Sequence, residues 1–171
     1  MSDGKIDWGK ADLELMQHSA VNLFWQSRVL HEACHALSDL SYSVTTINCA
    51  DGWESFRAQM SKFLGWEEQF GYALWTGNLN ALNDGLSVYP FPANNRAALV
   101  LTGFHALVRS DKCASHIMLD LLETHSRDFL LFAKRLIILV QTDDNRFDCP
   151  PIGGRSPMWN RLEWSDQNRG L

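Results

Sequence analysis

The chain has 171 residues, 46% apolar and 20% charged, and its 15 Lys and Arg against 20 Asp and Glu leave a formal charge of −5. Such a chain makes one globular domain, long enough to bury a sizeable core. With a pI near 5.6 and no Lys/Arg cluster, it lacks the positive footprint of nucleic-acid and membrane-surface binders, and basic partners are the ones its charge leaves open.

In chain order, Met1 to Lys10 is polar and acidic where a secretion signal needs a basic end followed by an apolar core, so a cytoplasmic location is expected. Ala20 to Trp25 is a short β-favouring run, and Ser27 is placed to cap the helix that follows. From Arg28 to Leu40, Val29, Leu30, Ala33, Leu37 and Leu40 recur at helical spacing, with Arg28, His31, Glu32, His35 and Asp39 opposite. Ser43 to Cys49 is β-branched and reads as a strand. Asp51 and Glu54 form a D-x-x-E capping box ahead of a helix carrying Phe56, Met60, Phe63 and Leu64. Beyond Pro90 and Pro92, Ala97 to Leu101 predicts a buried strand. Ala114 to Phe132 predicts a helix with Met118, Leu121, Leu122, Phe129 and Phe132 on one side. Leu136 to Val140 predicts another strand, and as the longest strongly apolar run it is far below the roughly 18 residues of a membrane span. Residues 143–171 lack periodicity and read as an irregular C-terminal tail whose Trp159, Leu162 and Trp164 can pack back. Strands alternating with helices imply a single α/β domain over residues 1–142, a parallel sheet of three to four strands flanked by helices.

Charge is unevenly placed. Residues 63–95 hold Glu67, Glu68 and Asp84 but no Lys or Arg, and they carry Phe63, Trp66, Phe70, Tyr72, Trp75, Tyr89 and Phe91. Two readings stay open for this stretch: core aromatics joined by turns, or a recognition surface with aromatic anchors and negative charge suited to a basic partner.

Catalytic signatures are sparse. His31-Glu32-Ala33-Cys34-His35 matches H-E-x-x-H on a predicted helix, where two imidazoles one turn apart could bind zinc and the Glu could handle the proton of a bound water. No third-ligand motif follows, and the same residues form the face that such a helix turns to water; a zinc metallohydrolase is the alternative they leave. Cys34, Cys49, Cys113 and Cys149 form no C-x-x-C pair, which points to reduced thiols and not to a zinc knuckle or disulfide framework. His18, His105, His116 and His125 have no carboxylate or thiol at motif spacing. Asp143-Asp144 follows the last strand, where α/β sites often lie and where a solvated turn is equally at home. There is no G-x-S-x-G, P-loop or G-x-G-x-x-G.

The string Trp75-Thr76-Gly77-Asn78-Leu79-Asn80-Ala81-Leu82-Asn83-Asp84-Gly85-Leu86 resembles the signature of the barstar family, intracellular protein inhibitors of secreted ribonucleases. In that family an aromatic-Gly turn leads into N-[LW]-D-A-L-x-D-x-L; here the string is N-L-N-A-L-N-D-G-L. The likeness covers about residues 44–142, with the earlier residues reading as a strand-helix unit added to the family's three-stranded parallel sheet, and the tail as a further addition. The resemblance implies a bacterial, cytoplasmic immunity protein of a toxin–antitoxin pair. It would act by protein–protein interaction, without catalysis, cofactor, metal or direct contact with nucleic acid. A helix and its preceding loop would plug the basic active site of a ribonuclease toxin, carboxylates standing in for RNA phosphates. Charge steering and an acidic hot spot, both documented for the barnase–barstar pair, come with the resemblance and not from this composition.

By motif position Asp84 takes the dominant anchoring role. Asn80 stands where the family has its first motif Asp, Asn83 where the type member has an aromatic, and Gly77 is displaced by one residue. Asn78 opens the motif, and Tyr72 and Trp75 are the loop aromatics expected to touch the partner, core packing being the other role open to Trp75. The family's acidic residue near the end of the helix before the last strand corresponds to Asp128, or less directly to Glu123. The departures at Asn80 and Asn83 also leave room for a barstar-fold module that binds a non-ribonuclease toxin or another protein.

Overall fold

The computed structural model describes residues 10–171. The apolar run Leu136 to Val140 lies within β4 (Arg135–Gln141), the middle strand of a five-stranded sheet. Its five side chains are fully buried, Leu136, Ile138 and Val140 in one core and Ile137 and Leu139 in another. Burial on both faces is why the run shows no polar alternation. The strands are β1 (Val21–Phe24), β2 (Ser43–Asn48), β3 (Arg96–Thr102), β4 and β5 (Met158–Trp159), in the order β2-β3-β4-β1-β5, every neighbouring pair parallel.

One face of the sheet carries α1 (Ala11–Leu15) and α2 (Ser27–Asp39), whose Leu15, Val29, Leu30, Ala33 and Leu37 pack on Phe24, Val100 and Leu139. The other carries α3 (Gly52–Leu64), α4 (Trp66–Phe70), α5 (Leu79–Ser87), α6 (His105–Ser110) and α7 (Lys112–Leu130). From these, Phe56, Trp66, Leu82, Leu107 and Leu122 close over Ile47, Leu101 and Ile138.

Capping and boundaries differ from expectation in four places. Ser27 is the first residue of α2, not its cap; the N–H groups of Trp25 and Gln26 instead donate to the Glu163 carboxylate at 2.8 and 2.7 Å. Asp51 precedes α3 but makes no side-chain bond to the helix, so the D-x-x-E box does not form. Phe132, expected on the apolar stripe of α7, lies beyond its end and is largely exposed, because the chain turns at Ala133 with φ +54° to enter β4. Finally, residues 143–171 do not simply trail. Cys149 and Ile152 enter the core over α7, and β5 pairs with β1 (Asn22 with Met158, Leu23 with Trp159), one strand more than expected.

Two buried glutamates hold β1 at both ends. At its start, Glu123 of α7 accepts from the Ser19 hydroxyl and the Ala20 N–H, both at 2.7 Å, and from the Val21 N–H at 3.1 Å. Past its end, Glu163 accepts from Trp25 and Gln26, and from the Asn160 amide at 2.6 Å. Each carboxylate satisfies successive backbone donors, buried at Ala20 and Val21 and partly buried at Trp25 and Gln26. No helix among the described residues is long and apolar enough to cross a membrane.

Candidate functional site

The acidic, aromatic segment forms α4, α5 and the loop between them, a platform laid over the sheet. Leu82 and Leu86 are fully buried, and between them Gly85 lies against Trp66, where a Cβ would come within 2.7 Å of the ring. A side chain at this position would push α5 off Trp66, so the glycine sets how closely the helix docks. With that face inward, Asn80, Asn83 and Asp84 point outward and are exposed. Asn78 caps the helix, its Oδ1 accepting from the N–H groups of Asn80 at 2.9 Å and Ala81 at 3.3 Å.

The loop before α5 is fixed from beneath. Trp75 is only 2% exposed; its N–H donates to the Ser61 hydroxyl at 2.8 Å, its Nε1 donates to the Asn78 carbonyl at 2.7 Å, and its ring meets Phe56 edge-on. This corrects the expectation that Trp75 touches a partner: a fused ring that large is worth most in the core, and here it positions the cap residue of α5. Gly77 turns with φ +99°, a conformation that disfavours side chains, and the Arg57 guanidinium of α3 lies against it. Tyr72 is 49% exposed, leaning edge-on to Trp66 with Phe70 beside it. Leu74 and Val88 are more than half exposed at either end of α5. Beside α4 an open cleft of about 540 Å³ includes Glu67 and Glu68 in its lining.

From α7, His125 reaches α5, its Nε2 2.9 Å from the Asn83 Oδ1, so Asn83 is exposed yet tied on one side. Burial holds the His125 pKa below its ordinary 6.5, against the opposing pull of the Asp128 carboxylate and of Asn83. Asp128 is exposed on α7 one turn beyond His125, the α7 residue that bonds Asn83 of α5. The other expected acid, Glu123, is fully buried and bound to the start of β1, which removes it from any docking surface. Sequence spacing gave His125 no partner, because the one it has is 42 residues away on another helix. Nor is the region as free of cations as its sequence: Arg57 Nη1 donates to the Thr76 carbonyl at 3.3 Å, and Lys134 sits over the Phe91 ring.

The remaining chemical candidates lie elsewhere. His31 and His35 are exposed on α2 and Glu32 is held by Arg28 at 2.6 Å. Among the described residues no group of three or more His, Cys, Asp and Glu side chains is placed to hold a metal ion. All four cysteines are free thiols. Burial pushes the thiol of Cys34 up to about 11 and those of Cys49 and Cys149 up to about 12, with Asp148 adding to the last. His105, partnerless by spacing, meets Asp143 past the ends of β3 and β4, Nε2 to Oδ2 3.4 Å, while Nδ1 accepts from the Asp143 N–H at 3.1 Å.

The α5 surface therefore offers carboxylate, amide and aromatic groups on a rigid mount, the means of binding a protein with complementary charge. No family model, curated protein or solved structure matches the chain.

Proposed function

We propose that the protein is a barstar-like immunity protein that binds a ribonuclease toxin in the cytoplasm and occludes its basic active site, acting by coverage alone. The observation that carries this reading is the presentation of Asp84: exposed on α5, in no salt bridge among the described residues, on a helix held by Leu82, Leu86 and the Gly85–Trp66 contact. A fixed, unpaired carboxylate is what a cationic pocket selects, since little order has to be created on binding. Asp128, Glu67 and Glu68 add negative potential nearby, and Tyr72, Leu74 and Val88 supply an apolar rim.

The layout supports the same reading. Strands β2, β3 and β4 are contiguous and parallel, and the segment from α3 to α7 covers one face. The added β1 and β5 lie beyond β4, at the edge away from β2. A second reading, a module of this fold that binds some other protein, draws on Asn80, which brings no charge, and on Asn83, whose amide is already engaged by His125. The test is to purify the product of the neighbouring open reading frame and titrate this protein into a ribonuclease assay. Stoichiometric inhibition is expected; a complex that forms without inhibiting ribonuclease activity would favour the second reading, and no complex at all would reject both for that partner.

A further inference from the structure

The two edges of the sheet are finished differently. At one, β5 is two residues long; at the other, β2 runs for six. A strand in a parallel sheet turns the N–H and C=O of alternate residues to opposite sides. The Cys49 N–H donates to the Thr102 carbonyl at 2.8 Å and the Thr102 hydroxyl lies 3.5 Å from the Ile47 carbonyl, so the odd-numbered residues of this strand face β3. Val44, Thr46 and Asn48 therefore face outward. Gln59 of α3 occupies the last of these, its Oε1 accepting from the Asn48 N–H and its Nε2 donating to the Asn48 carbonyl, each at 3.1 Å. Val44 and Thr46 keep their outward N–H and C=O groups without a partner among the described residues.

Proteins ordinarily blunt an open edge with Lys, Pro, a bulge or an inward charge. The segment Ser43-Val44-Thr45-Thr46-Ile47-Asn48 has no proline and no charged side chain. We propose that β2 pairs antiparallel with β2 of a second copy of this chain, about a two-fold axis through Thr45, joining two sheets into one. Self-complementarity is what selects a second copy. With Val44 and Thr46 outward, a register centred on Thr45 sets Val44 opposite Thr46 of the second copy and the reverse, so every free N–H meets a free C=O. Ser43 then faces Ile47 and Thr45 faces Thr45, with no like charges opposed. Gln59 ends the pairing at Asn48, limiting the contact to the middle of the strand. The residues that pair at this edge are different from those of the α5 face.

Sedimentation equilibrium on the 171-residue chain tests this, at concentrations up to about 200 µM because association follows mass action. The expected result is a species of twice the 19.4 kDa chain, with slow hydrogen exchange at the Val44 and Thr46 amides. Thr46→Pro removes an outward N–H without breaking the ladder to β3, and Thr46→Lys puts a charge on the edge; each should weaken the dimer at least about tenfold. If the proline variant does not fold, the lysine variant decides. A monomer throughout the range, a dimer that survives Thr46→Lys, or protection of both amides in a monomer would each overturn the proposal.

Discussion

Two sets of carboxylates in this protein do opposite things. Glu123 and Glu163 are fully buried, and each accepts hydrogen bonds from consecutive backbone N–H groups at one end of β1. Asp84, Glu67, Glu68 and Asp128 are exposed and appear in no salt bridge among the described residues. The buried pair makes its hydrogen bonds inside the chain, through Oε2 alone at Glu123 and through both oxygens at Glu163, and serves assembly. The exposed group is left incomplete, and that incompleteness is what a cationic partner can use. Negative charge in the sequence is thus not one property but two, separated only by what the fold brings to each oxygen.

The sharpest way to break that distinction is at Glu123. Glu123→Ala strips an acceptor from the Ser19 hydroxyl and the Ala20 and Val21 amides at a buried site. A loss of at least about 3 kcal/mol is expected in urea unfolding, since each orphaned buried donor costs about 1–3 kcal/mol. Asp84→Ala should leave the same transition within about 0.5 kcal/mol, the usual range for a surface change. If the two variants lost equal stability, the division of roles would fail.

A smaller effect is expected where the platform is set. Gly85→Ala forces a methyl toward Trp66 at 2.7 Å and should cost about 1–3 kcal/mol by overpacking, with a red-edge change in tryptophan fluorescence as the ring shifts. Unchanged stability and emission would mean that α5 does not rest on Trp66.

Least in size is a pH effect at His125. Burial depresses its folded pKa below the unfolded 6.5, so the unfolded chain takes up the proton first. Stability should then decline as pH falls below about 6.5 and level off beneath the folded value. His125→Gln should flatten that segment of the stability–pH curve. A curve identical in both proteins would remove His125 as its source.

The legible parts of the fold were those governed by periodicity. β4, α2 and the apolar side of α7 follow from residue spacing, because a strand or helix that is buried declares the face it buries. Caps were not legible: Ser27 and Asp51 have the right chemistry, but the donors near α2 are met by Glu163, more than 130 residues away. The fifth strand is not legible because two residues carry no periodicity and β5 exists only by pairing with β1. At the α5 surface, Asn80, Asn83 and Asp84 fall outward as their spacing against Leu82 and Leu86 requires. Trp75 went inward because an aromatic residue in a loop can serve either side, and only the Ser61 hydroxyl and the Asn78 carbonyl decide which. Arg57 entered an apparently cation-free region because a gap in sequence is not a gap in space.

On the proposed function Asp84 is the charge a basic partner grips, and this can be measured as affinity for the purified product of the neighbouring open reading frame. Calorimetric titration of wild type against Asp84→Ala should show binding weakened by at least about 2 kcal/mol, the cost of truncating one member of a buried charge pair. Equal affinity of the two proteins for that product would mean that Asp84 is not the anchor.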